Sequence, residues 1–122
     1  MRVQIDIRRL RLPSIPMEPG MIDMLAHDPS TDEIVLVAKD RRPWDGSSER
    51  LVALEEKLNT YASFLLDGEL AEAHPELVGK RARIELRCAH VPDESALNFL
   101  ERVHDQLAFQ HIKLQVVVKQ IA

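Results

Sequence analysis

The run Ile34-Val35-Leu36-Val37-Ala38 constrains this chain more than any other stretch. Successive side chains of a strand point to opposite faces, so five apolar residues in a row leave neither face for water. A strand of that kind belongs inside a sheet, with neighbours on both edges. Glu33–Asp40 is therefore read as a central strand, and the rest of the chain has to supply what surrounds it.

The helix that follows is the clearest of its surroundings. Residues 49–65 place Leu51, Leu54, Leu58, Tyr61 with Ala62, and Leu65 at steps of three and four, the stripe of an amphipathic helix. Ser47 suits the N-cap, where its hydroxyl accepts from a first-turn amide, and Glu49 suits the positive end of the helix dipole. Glu49, Arg50, Glu56, Lys57 and Thr60 are expected to face water. Gly68 can take the left-handed conformation that closes a helix.

On the other side of the central strand, residues 21–27 read as a strand with Ile22, Met24 and Ala26 on one face. Asp28-Pro29-Ser30-Thr31-Asp32 is turn chemistry, so 21–40 form a hairpin. Residues 69–80, with Pro75 and Gly79, read as a short helical turn and a loop. Residues 80–90 then alternate strictly, Ala82, Ile84, Leu86 and Cys88 against Arg81, Arg83, Glu85 and Arg87. Asp93 is the expected N-cap of a second helix over 94–109, which carries Ala96, Phe99, Leu100, Val103 and Leu107 on one side. Ile112, Leu114, Val116 and Val118 alternate in a last strand, with Val117 the exception.

The N-terminal segment reads separately. Val3, Ile5 and Ile7 alternate with polar residues, and the phase slips near Arg8-Arg9, as at a bulge. Three prolines within residues 13–20 exclude a regular element there. Residues 1–20 are thus expected to form an N-terminal strand and a Pro-rich arm, and 21–122 a single α+β domain. Strands alternating with helices imply parallel crossovers. The predicted fold is an α+β two-layer sandwich: a mixed sheet of four to five strands with two helices on one face and the other face partly open.

Composition excludes several classes. With 122 residues the chain has length for one core, and at a net charge of −4 nothing pulls it as a whole toward nucleic acid or anionic lipid. Cys88 is the only cysteine, which excludes an internal disulfide and a cysteine-cluster zinc site and fits a reducing cytosol. No apolar stretch is long enough to span a bilayer, and the basic N-terminus lacks the apolar run of a secretory signal. Neither a metal site nor a cofactor is expected: Cys88 and His90 share a strand face, yet two ligands are too few, and the other histidines are scattered.

Two surfaces stand out. The first is the rim at the carboxyl ends of the parallel strands, where open α/β sheets tend to bind ligands. Two loops meet there and bring together Asp40, Arg41, Arg42, Trp44, Asp45, Ser47, His90 and Asp93. An anionic group could be held by Arg41 or Arg42 and the helix start at Ser47, with His90 or Asp93 moving a proton. The alternative is structural: Trp44 plugs the end of the sheet while Asp45 and Ser47 cap the helix. The second surface is the open sheet face, where Arg83, Arg87, Lys113 and Lys119 with Glu85 would form a basic patch. No aromatic residue falls on that face, which argues against single-stranded nucleic acid. Contact with a protein partner, or self-association with a dimer favoured, fits it better, and the alternative is a plain solvated face. No catalytic motif of a recognised kind occurs.

The set Met21-Ile22-Asp23-Met24-Leu25-Ala26-His27-Asp28-Pro29, Glu33-Ile34-Val35-Leu36-Val37, Pro43-Trp44-Asp45, Leu54-Glu55-Glu56-Lys57-Leu58-Asn59-Thr60-Tyr61, Phe64 to Leu70 and His74-Pro75-Glu76 resembles a family of small bacterial proteins catalogued as a domain of unknown function. The resemblance covers about residues 21–120 and implies a cytoplasmic bacterial α+β domain. It transfers no catalytic residue, ligand or partner. The leading expectation is a non-enzymatic interaction or self-associating module. The alternative is a binder of an anionic small molecule, or a minor enzyme, at the Trp44 rim.

Overall fold

Glu33–Asp40, strand β3, takes the interior position its composition demands. A computed structural model of the chain describes residues 5–6 and 22–118. Among these, five strands form one sheet: β1 (Ile5–Asp6), β2 (Met24–Asp28), β3, β4 (Ala82–Cys88) and β5 (Ile112–Val118), in the order β1-β5-β4-β3-β2. β2 and β3 are antiparallel, the expected hairpin, and β3, β4, β5 and β1 run parallel. Three helices complete the α+β arrangement: α1 (Ser48–Leu66), α2 (Glu69–Ala73) and α3 (Glu94–Ala108), with a 3-10 turn at Pro75–Leu77. The phase slip at Arg8-Arg9, the proline-rich segment and Lys119 lie outside the described residues.

Both faces of β3 are covered, as its pattern requires. Ile34, Leu36 and Ala38 join Ile84, Leu86, Cys88, Leu114 and Val116 of the parallel neighbours in the main core. Leu54, Leu58 and Tyr61 from α1 and Phe99, Leu100, Val103 and Leu107 from α3 close that core. Val35 and Val37 point the other way and pack with Ala26 and Met24. Ile22 contributes to the main core, not to the face of Met24 and Ala26, because β2 begins only at Met24 and the alternation does not extend back to it.

Both predicted caps form. The Ser47 hydroxyl accepts from the Arg50 amide at 3.2 Å, and the Asp93 carboxylate accepts from the Ala96 amide at 2.8 Å. Gly68, at φ +87°, follows the last residue of the α1 cap in the left-handed region.

The charged face of β4 departs from expectation. Arg83, Glu85 and Arg87 are buried, with Glu85 at 0% exposure, so they do not form an open basic patch. The reason is pairing. Arg83 bonds Asp28 at 2.9 Å and Glu33 at 2.9 Å, and Arg87 Nε donates to Glu85 at 2.6 Å. Asp28 and Glu33, at the ends of β2 and β3, neutralise Arg83, while Glu85 of β4 itself pairs Arg87. Among the described residues of this group only Lys113 keeps an exposed side chain, 3.2 Å from Glu33. Glu85 Oε1 and Arg87 Nη2 are buried without a hydrogen-bond partner.

Candidate functional site

The sequence-predicted rim divides into two parts with different roles. The first part is a plug organised by Arg50. Arg50 sits on the first turn of α1 and was expected in water, but only 5% of it is exposed. Its guanidinium grips Asp40, the last residue of β3, through both oxygens at 2.7 and 3.0 Å. The same group donates to the carbonyls of Arg42 at 3.0 Å and Pro43 at 3.3 Å. It also stacks over the Trp44 ring, 4.0 Å from the ring centre. Trp44 Nε1 in turn donates to the His90 carbonyl at 3.0 Å, tying the two rim loops together.

These bonds give the plug residues structural roles. Asp45 accepts from the Ser47 amide at 2.9 Å, and the Ser47 amide and hydroxyl together hold its carboxyl below the usual carboxylate range. Ser47 is the α1 cap and Asp93 the α3 cap. His90 contributes its carbonyl to Trp44. One first-turn amide of α1, that of Arg50, is thus capped from within the chain.

The second part is an open groove of about 350 Å³ between the carboxyl end of β3 and the first half of α1. Asp23, Lys39, Asp40, Arg41, Arg42, Ala53, Leu54 and Lys57 line it. Of the predicted rim residues, Arg41 and Arg42 reach it, with Asp40 at its edge. Trp44, Asp45, Ser47, His90 and Asp93 do not.

Charge is unevenly distributed in the groove. Four cationic side chains face two carboxylates, and both carboxylates are committed. Asp40 is held by Arg50. Asp23 bonds Lys57 at 2.8 Å and the Lys39 amide at 2.8 Å. Burial pushes the Asp23 carboxyl up, but the Lys39 amide and the Lys57 ammonium together outweigh it and hold it below its ordinary value. Lys57 also donates to the Lys39 carbonyl at 3.0 Å. Lys39, Arg41 and Arg42 enter no side-chain ion pair among the described residues and are exposed. The groove therefore presents unneutralised cations beside Ala53, with no unpaired carboxylate or histidine among its lining residues.

Sequence reasoning missed Arg50, Lys57 and Asp23. A signal for the first two was present: Arg50, Ala53 and Lys57 fall at steps of three and four, one stripe along α1 beside the apolar one. Asp23 carried no such signal, because its role depends on how the hairpin meets α1.

Elsewhere the chemistry is quiet. Cys88 is a free, buried thiol, and burial with the nearby Asp40 carboxylate pushes its pKa up to about 12. No group of three metal-ligating side chains occurs among the described residues. No helix among them is long and apolar enough to cross a membrane.

Comparison with known proteins returns one relationship. The profile of a family described as a family of unknown function, DUF6572, matches residues 15–120. No curated protein and no solved structure matches the chain.

Proposed function

This chain belongs to DUF6572, a family of unknown function, and we propose from its geometry that it is a non-enzymatic binding module whose β3–α1 groove docks an anionic segment of a partner. One observation carries the reading. Among the described residues, Lys39, Arg41 and Arg42 have no ion-pair partner around a groove in which every carboxylate already has a cation. Clustered cations without counter-charges repel one another, and an incoming carboxylate or phosphate relieves that repulsion. The groove is open rather than enclosed, and ligand pockets usually bury most of a small molecule. That favours a group presented on a larger surface over a free metabolite.

The reading takes its setting to be a reducing compartment, supported by the lone free thiol of Cys88. It replaces the β4 face as the interaction surface, because Arg83 and Arg87 are buried and neutralised.

The test is calorimetric titration of the full chain with a hexaglutamate peptide. Binding should be detectable at low salt and should weaken about tenfold as salt is raised, since exposed charges are screened within a Debye length. It should vanish in the double variant Arg41→Glu, Arg42→Glu, at positions that are exposed and whose side chains enter no ion pair among the described residues. Equal binding by wild type and variant would overturn the reading.

A further inference from the structure

The same chain carries an acidic counterpart to its groove. Residues 67–76 contain Asp67, Glu69, Glu72 and Glu76, all exposed, and neither lysine nor arginine. This corner follows the carboxyl end of α1, where the helix dipole is negative, and α1 has no basic residue in its last turn. Asp67 closes α1 at that end, Glu69 and Glu72 follow in the first turn of α2 and Glu76 in the 3-10 turn, and the one ion-pair partner within 67–76 is His74, 3.2 Å from Glu76. Leu66 and Val78 flank the corner and are half exposed or more.

The groove cannot reach this corner within one molecule. Lys57 and Leu66 are nine residues apart along α1, about 14 Å at the helical rise. Groove and corner therefore lie toward opposite ends of the helix, and each lacks what the other offers.

We infer that the occupant of the groove is the Asp67–Glu76 corner of a second copy of this chain. Two copies with their α1 helices antiparallel would make the contact twice, which is the self-complementary pattern of a two-fold dimer. The inference rests on the anion preference proposed for the groove and adds the identity of the partner. The contact joins opposite charges at an exposed rim, so it is salt-sensitive and of moderate strength.

The test is a charge swap on the full chain, read by sedimentation velocity. The groove variant is Arg41→Glu with Arg42→Glu, and the corner variant is Glu69→Lys with Glu72→Lys. All four positions are exposed, and circular dichroism checks that the variants fold. Wild type is expected to dimerise at about 100 μM, and each variant alone to need at least about tenfold more protein, the effect of several lost rim pairs. The equimolar mixture is expected to recover the wild-type dimer, because one contact is native and the other is native with its charges exchanged. A mixture that stays monomeric where wild type dimerises would overturn the inference, as would a wild-type dimer indifferent to both variants. A monomeric wild type that still binds hexaglutamate would also overturn it, leaving the groove reading in place. Failure of both self-association and peptide binding would remove both.

Discussion

Arg50 covers the Trp44 ring at 4.0 Å while holding Asp40 through both carboxylate oxygens. A single side chain thus joins the end of the central strand, the rim loop and the first turn of α1. The arrangement fixes the backbone from which Arg41 and Arg42 project, because the Arg42 and Pro43 carbonyls are bound to the same guanidinium.

Replacement of Arg50 by Ala strands Asp40 as a buried, unpaired carboxylate. The expected loss is roughly 3 kcal/mol of unfolding free energy, in the range for breaking a buried ion pair. Chemical denaturation followed by Trp44 fluorescence measures it. The folded variant should also show a red-shifted Trp44 spectrum, since the ring loses its cover. Arg50→Lys should recover only part of the loss, because an ammonium cannot span both oxygens and two carbonyls.

Acid stability should depend on Asp28. The Ser30 hydroxyl and Arg83 hold its carboxyl at about 2, against an ordinary value of 3.8, with burial opposing them. A depressed carboxylate pKa adds stability that is complete above the unfolded value and is lost as pH falls through the folded one. The window is therefore about pH 4 down to about pH 2. The contribution is up to roughly 2 kcal/mol by the linkage relation. Asp28→Asn should flatten the acid limb of the stability profile in that window. Glu33, held low against burial by Thr31, Arg83 and Lys113, acts with the same sign.

The network on β4 gives a prediction about pairing. Glu85→Ala leaves Arg87 buried without its 2.6 Å partner and should cost roughly 3 kcal/mol. Replacing Glu85 and Arg87 together by Gln and Met should cost less than the single change, because no buried charge of that pair is left over. Denaturation midpoints of the two variants decide it.

Cys88 should resist modification in the folded protein. Its thiol is buried and its pKa is pushed up to about 12, so almost no thiolate exists at neutral pH. Reaction with a disulfide reagent should proceed only at the rate of opening, and denaturant should release one equivalent at once.

Much of the fold was legible because it follows from side-chain periodicity. The unbroken apolar run of β3, the strict alternation of β4 and the stripes of α1 and α3 each have one physical solution. Ser47 and Asp93 were legible as caps because capping is a local bond between a side chain and an amide a few residues on. The site was legible only in part. Arg41 and Arg42 follow directly from the end of β3, and the structure places them in the groove. Arg83, Glu85 and Arg87 misled, because alternation shows that residues share a face but not whether counter-charges from other strands meet them there. Asp28 and Glu33 lie some fifty positions away from Arg83 in the chain, a distance no local pattern bridges. Arg50 misled for the same reason: its partner Asp40 is brought to it by the loop, not by the helix.

The most direct test of the account is a residue-resolved one. Backbone amide resonances of the full chain are followed by NMR as hexaglutamate is added at low salt. The account predicts that shifts concentrate at Lys39, Arg41, Arg42, Ala53 and Lys57 and disappear as salt is raised. Shifts spread evenly over the surface, or centred on the β2–β3 turn and Lys113 instead, would contradict it.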